Sequence, residues 1–214
     1  MTAIAVPKDL VEQDNHVAHE VKLASGEIVC DTDCHCSNLL VVVKGCLRVY
    51  KRSEDGRTFT LYRVNTGECC SLTISCILND TKFPAIIEAE EDVIAYVIPA
   101  PHVRKCLRED FESQAYIFNQ LTKKVAQLTD LTDNLVFNSM ESRIANLLCR
   151  RLDSRYGKGI VYVTHQVIAN EVGTSREVAS RSLSLLESKG YLELKRGEIN
   201  VIDFDALKNY STLH

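Results

Sequence analysis

The chain has 214 residues, 45% of them hydrophobic and 25% charged, enough for one or two globular domains. No apolar run approaches the ~18 residues of a membrane-spanning helix, and Met1–Leu10 lacks a basic stretch leading into an apolar one, so no secretory signal and a cytoplasmic location are expected. The net charge of −4 is uneven: residues 1–138 carry 14 basic against 20 acidic side chains, residues 139–214 carry 11 against 9. The basic excess in the second part has the sign that phosphate contact requires.

Residues 1–15, with Pro7, read as a loose polar arm. From about His16 to Ile98 the pattern is short strands broken by turns. Val17–Leu23 alternates, and Ser25-Gly26-Glu27 turns. Leu39–Val43 is a buried run ended by Lys44-Gly45. Leu47–Lys51 alternates, and residues 53–57 close a hairpin into Phe59–Tyr62. Asn65-Thr66-Gly67-Glu68 turns again, and strands follow at Ile86–Ala89 and Val93–Ile98. Strands at this spacing imply a barrel or jelly-roll-like double sheet.

Pro99 and Pro101 end the β region. Residues 102–137 are helical in pattern. Leu121, Leu128 and Leu135 recur every seventh residue, and Phe118, Val125 and Thr132 recur with the complementary offset. Such a seam implies a parallel helix pair between two subunits, with Phe118, Leu121, Val125, Leu128 and Leu135 as its members. Asn138-Ser139 breaks the pattern, and Ser139 can cap a helix from Met140 to Leu152. The expected domains are a sensor roll (1–101), a dimerisation helix (102–138) and a DNA-binding domain (139–214).

The stretch from Thr164 reads as helix, turn, helix. The Thr164 hydroxyl can accept a free backbone N–H and start the first helix. Gly173 stands where that helix must stop, and Ser175 caps the second. Ile168, Ala169 and Val172 face Val178, Ala179, Leu183 and Leu186. Arg176, Glu177, Ser180 and Arg181 remain outward on the first turns of the second helix. An arginine forks onto guanine and a carboxylate accepts from cytosine N4, so this face is suited to base edges in a major groove. Ser175, Thr164 and Gln166 are expected to position phosphates. Tyr191–Leu194 and Ile199–Ile202 around Lys195-Arg196-Gly197-Glu198 read as a wing.

Nine cysteines stand at 30, 34, 36, 46, 69, 70, 76, 106 and 149. In a reducing compartment such residues are more often buried, metal-binding or redox-active than structural bridges. Cys30-x-x-x-Cys34-x-Cys36 has a spacing that a loop could wrap round a metal or an iron–sulfur cluster, with Cys46 as a fourth ligand. Cys69, Cys70 and Cys76 fit a redox group and small core residues equally. Cys106 and Cys149 read as core, and His35 as a surface histidine.

The order of β roll, long helix and winged helix resembles the catabolite-activator and fumarate-nitrate regulator (CRP/FNR) family, over about residues 17–205. The fold class is therefore expected to be α+β, with an N-terminal roll like a cyclic-nucleotide-binding domain. Ser175-Arg176-Glu177-Val178-Ala179-Ser180-Arg181 carries the most specific likeness. It contains both Arg176, Glu177 and Arg181, similar to the cyclic-AMP branch, and Glu177, Ser180 and Arg181, similar to the oxygen-sensor branch. The resemblance implies a homodimer that binds palindromic DNA with TGTGA- or TTGAT-like half-sites and engages RNA polymerase. It implies an effector for the roll, but the branch-specific residues are missing. Where the nucleotide-binding members hold the cyclic phosphate with Arg and Ser or Thr, this chain has Phe83 and Pro84, so cyclic AMP is not expected. No cysteine precedes Cys30 as in the oxygen sensors, and no histidine lies between Cys69 and Phe83 as in the haem branch. What remains is sulfur, or an unidentified small ligand in the roll; a thiol enzyme would leave the winged helix unexplained.

Overall fold

A computed structural model describes residues 6–11, 18–54, 56–152 and 159–213, without the side chains of residues 130, 133–137, 212 and 213. The arm beyond 6–11, Val17 at the start of the first expected strand, Asp55 of the hairpin and the Leu135 side chain lie outside the described residues. The elements run α1 (Lys8–Val11), β1 (His19–Leu23), β2 (Ile28–Cys30), β3 (Asn38–Lys44), β4 (Cys46–Arg52), β5 (Thr58–Asn65), α2 (Ser71–Asn79), β6 (Ile86–Ala89) and β7 (Val93–Pro99). They continue α3 (Ala100–Glu109), α4 (Phe111–Phe137), α5 (Met140–Arg151), β8 (Gly159–Tyr162), α6 (His165–Val172), α7 (Arg176–Ser188), β9 (Leu192–Lys195), β10 (Glu198–Val201) and α8 (Phe204–Leu213).

Two antiparallel sheets make the roll: β1-β7-β3 and β2-β6-β4-β5. Alternation places Val42, Leu47, Val49, Val64, Ile87 and Ala95 in one buried apolar cluster drawn from both sheets. The sharp corner between β3 and β4 needs Gly45. Its φ is +91°, and a Cβ there would meet the Asp92 carbonyl at 2.6 Å. A second cluster joins Leu39, Val41, Ile74, Ile98, Val103 and Tyr116 beneath α2, α3 and α4. The arm departs from expectation here. Residues 8–11 form α1, and Leu10 is fully buried in the second cluster. His102 Nε2 lies 2.9 Å from the Asp9 carbonyl oxygen and ties α1 to α3.

The helical stretch after the roll is two helices. Asp110 leaves helical geometry, with φ −118° and ψ +118°. Its carboxylate then accepts the backbone N–H of Ser113 at 2.7 Å, starting α4 afresh. On α4 the expected seam divides. Leu121 packs on the second cluster and Leu128 on the first, both within their own roll. Phe118 and Val125 are 68% and 64% exposed. The roll covers Leu121 and Leu128 and leaves Phe118 and Val125 to solvent.

By its internal contacts the chain divides into residues 1–51 with 61–128, and residues 52–60 with 129–214. In the second unit Ser139 caps α5 by accepting from Ser142 N. The core of this unit holds Ile144, Leu148, Ile168, Ala169, Leu183, Leu186 and Leu192. The wing is three-stranded, in the order β8-β10-β9, with Glu198 paired to Lys195 across its tip.

Candidate functional site

The helix-turn-helix is built by its caps. Thr164 accepts the N–H of Val167 at 3.2 Å and opens α6. Gly173 closes α6 in the left-handed region, at φ +68° and ψ +48°, where a side chain is strained. Ser175 accepts the N–H of Val178 at 3.3 Å and opens α7. Ala179, Leu183 and Leu186 are buried against the α6 residues Ile168, Ala169 and Val172, while Val178 is only half-buried. Arg143 of α5 donates to the carbonyl of Val172, bracing the end of α6.

Packing that apolar row inward leaves Arg176, Glu177 and Arg181 exposed on the first turns of α7. The Glu177 carboxyl is held below its usual range, first by a backbone hydrogen bond and then by the Ser175 side chain, with Arg176 and Arg181 adding attraction. The face is therefore an anionic acceptor between two cations. Ser180 is different. It is half-buried, and its Oγ lies 2.7 Å from His165 Nδ1, a partner that sequence reasoning did not foresee. The fifteen-residue separation between the two hides that pairing from any local pattern. Gln166 is exposed, with its amide donating to Asn170 Oδ1 at 3.0 Å. Lys195 and Arg196 are exposed at the wing tip.

In the roll, Cys30 and Cys34 are joined as a disulfide, and the sulfurs of Cys30, Cys34 and Cys36 lie within 4.8 Å of one another. The expected fourth ligand, Cys46, is elsewhere. Its thiol sits 3.6 Å from Asn65 Oδ1 and 3.7 Å from Glu90 Oε2, in the polar cluster of the Arg63–Glu90 ion pair. It begins β4 on the far side of a turn, which carries it away from the loop. Cys36 instead meets Cys76 and Thr73 of α2.

The second expected group also splits. Consecutive residues point to opposite sides: Cys69 is buried in the cluster beneath the helices, whereas Cys70 and Cys76 are buried between the sheets. Burial pushes the thiols of Cys36 and Cys69 up to about 12, and that of Cys46 up to about 11. These are resting thiols, without the lowered pKa that an activated nucleophile needs. Cys106 is buried and Cys149 half-buried, each raised chiefly by desolvation. His35 is exposed.

Phe83 is fully buried between the sheets, and Pro84 is exposed. The ring occupies apolar space beside the cysteines and offers nothing to a phosphate. Cys70 Sγ is 3.5 Å from the hydroxyl of Tyr62. Lys124 of α4 stands 5.1 Å over the Tyr62 ring, and its ammonium donates to Glu68 Oε2 at 3.1 Å and to the Arg63 carbonyl at 2.7 Å. A line of contacts thus links the cysteine region to the long helix.

A β roll followed by a long helix and a winged helix-turn-helix defines the class of DNA-binding regulators. Residues 142–210 match the Crp-like helix-turn-helix domain, and residues 20–110 match the cyclic nucleotide-binding domain. The chain is 24% identical over 167 residues to the cAMP-activated global transcriptional regulator Vfr of Pseudomonas aeruginosa, covering 75% of this chain and 78% of that protein. It is 23% identical over 168 residues to the global nitrogen regulator of a Nostoc species, covering 75% and 74%. Among solved structures, a CRP/FNR-family transcriptional regulator from Eubacterium rectale superposes with a TM-score of 0.80 at 29% identity, covering 91% of this chain and 90% of the other. The c-di-GMP-responsive regulator CLP of Xanthomonas campestris superposes at 0.76 with 19% identity, covering 86% and 94%. The chain belongs to the CRP/FNR family of DNA-binding transcription regulators. It is a regulator of that type and not an enzyme.

Proposed function

We infer that the protein is a homodimeric, sequence-specific regulator whose DNA affinity follows the state of cysteines in its roll. The exposed set Arg176, Glu177 and Arg181 at the start of a capped α7 carries the DNA half of this reading. The two arginines read guanine edges and Glu177 accepts from cytosine, in TGTGA- or TTGAT-like half-sites. Ser180 orients His165 and reaches a base or phosphate beside them. Ser175 and Thr164 use their oxygens as cap acceptors and keep their hydroxyl protons for phosphate, and Gln166 adds an amide. The unit of function spans a sensor (1–101), a linking helix (102–138) and a DNA-binding domain (139–214). It works in the cytoplasm with RNA polymerase, and a second copy covers Phe118 and Val125 of α4.

The effector half rests on what surrounds Phe83. Relatives carry names tied to cyclic AMP and to c-di-GMP, so effectors differ within this fold. Here the phosphate-holding position is a buried ring, and thiols cluster beside it. A change at those thiols would reach α4 through Tyr62 and Lys124, two residues with buried contacts to both sides. A two-state shift of that helix needs only a difference in effector affinity between the states. The test of the DNA reading is a mobility-shift titration on duplexes with palindromic half-sites against scrambled duplexes of equal length. Preference for the palindrome supports it; equal binding to both contradicts it. A small organic ligand that alters affinity in protein lacking Cys30, Cys34, Cys36 and Cys76 would replace the cysteines as effector site.

A further inference from the structure

The fold joins what the sequence separates. Cys30 ends β2, and Cys34 and Cys36 lie in the loop that follows. Cys76 comes from α2 and is 5% exposed, in the buried cluster against which Cys30, Cys34 and Cys36 pack, and it lies beside the Cys36 thiol. The two segments are laced together by backbone. Asp33 N donates to the Phe83 carbonyl and Phe83 N to the Cys34 carbonyl, both at 2.9 Å, and Thr81 N donates to the Cys76 carbonyl at 3.2 Å. His35 and Lys82 form a β-bridge between them. The sulfurs are therefore held by structure and not by a free loop.

We propose that Cys30, Cys34, Cys36 and Cys76 form a four-thiolate site for one thiophilic divalent cation of the zinc class, open when the Cys30–Cys34 disulfide is reduced. The proposal rests on the reading that roll cysteines are the sensor, and it names what they hold. Zinc binds thiolate sulfur at about 2.3 Å in a tetrahedron, which sets neighbouring sulfurs ~3.8 Å apart. The sulfurs of Cys30, Cys34 and Cys36, already within 4.8 Å of one another, need only small side-chain adjustments once the disulfide is reduced, while Cys76 starts outside that group and must swing in as the fourth ligand. An iron–sulfur cluster spreads its ligand sulfurs over separate iron atoms and needs a wider cage. Cys30, Cys34 and Cys36 are half-buried, which leaves an entry path from solvent. A dithiol reductant supplies two electrons and two protons to the disulfide and becomes a cyclic disulfide itself. The cation then replaces four thiol protons, which leave to solvent.

The test uses the full chain, reduced with dithiothreitol under nitrogen, desalted, and titrated with Co2+ as a spectroscopic probe. The expected result is one Co2+ per chain, with sulfur-to-cobalt charge-transfer absorption and tetrahedral ligand-field bands, displaced by Zn2+. Cys76→Ser and Cys34→Ser should each weaken binding by about tenfold or more, while Cys46→Ser leaves it unchanged. Circular dichroism checks that each variant folds, and Cys34→Ser decides the matter if Cys76→Ser does not. Absent tetrahedral bands, or binding untouched by the folded variants, overturns the site. DNA affinity measured on the same samples separates the two ideas. Metal binding with no change in DNA affinity sinks the sensor reading alone; an oxidation effect on DNA affinity without metal binding sinks the site alone.

Discussion

Arg181 and Glu177 stand on the exposed side of α7 because Ala179, Leu183 and Leu186 take the other side into the core. Substituting either with Ala is expected to weaken binding to a selected palindrome roughly 5- to 150-fold and to relax preference at one base pair. Quantitative binding to a randomised-position duplex library checks this; full affinity with unchanged preference contradicts the face. These residues were legible in the sequence because cap, turn and apolar row are local. The Ser180–His165 pair and the Cys36–Cys76 contact were not, because each depends on chain brought back from a distance. Cys69 gives a test of burial. Its thiol is pushed up to about 12 from an ordinary 9.0, chiefly by desolvation. The folded state thus holds its proton where the unfolded state releases it. Stability from this group is intact below pH 9 and declines as pH rises from there toward about 12. Urea unfolding across that range should show the decline, and Cys69→Ala should make it shallower. An unchanged slope would mean that the thiol is not shielded from water.

At the scale of elements, α4 is the informative case. Leu128 faces its own roll, while Phe118 and Val125 are exposed. Val125→Glu is therefore expected to yield a folded monomer, whereas Leu128→Glu places a charge against the roll and lowers the melting temperature. Sedimentation and thermal unfolding of both variants separate the two effects; a dimer retained in Val125→Glu argues against that face. The caps give a second case. Ser175→Ala removes the acceptor of Val178 N and should cost about 1 kcal/mol of stability, measured by denaturant unfolding. A loss of DNA affinity larger than the same substitution at Ser139 produces would reveal a phosphate contact in addition to the cap. The strands were readable from alternation closed by Gly26, Gly45 and Gly67. The helix α2 was not, since Ser71–Asn79 is rich in serine, threonine and isoleucine and its N-cap, Cys70, makes no side-chain capping bond. The long helix was recognised, but not which of its two apolar rows the roll would cover. Nor was the break at Asp110 foreseen, because a single carboxylate cap within a continuous helical pattern gives no periodic signal.

At the scale of the whole molecule, the proposed control joins a roll with buried thiols, a helix that touches it through Lys124, and the exposed face of α7 into one chain of cause. A dimer with two such faces calls for half-sites about one helical turn, ~34–36 Å, apart. Coupling energies between sites in proteins commonly reach 1–3 kcal/mol, roughly 5- to 150-fold in affinity. The measurement that bears most directly on this chain of cause is the equilibrium affinity of the full protein for a palindromic duplex in its reduced, oxidised and metal-stripped forms, at one fixed salt concentration. The expected result is a difference of that size between at least two of the three forms, abolished when Cys30, Cys34, Cys36 and Cys76 are replaced together by Ser. Equal affinity in all three forms would contradict control by the cysteines.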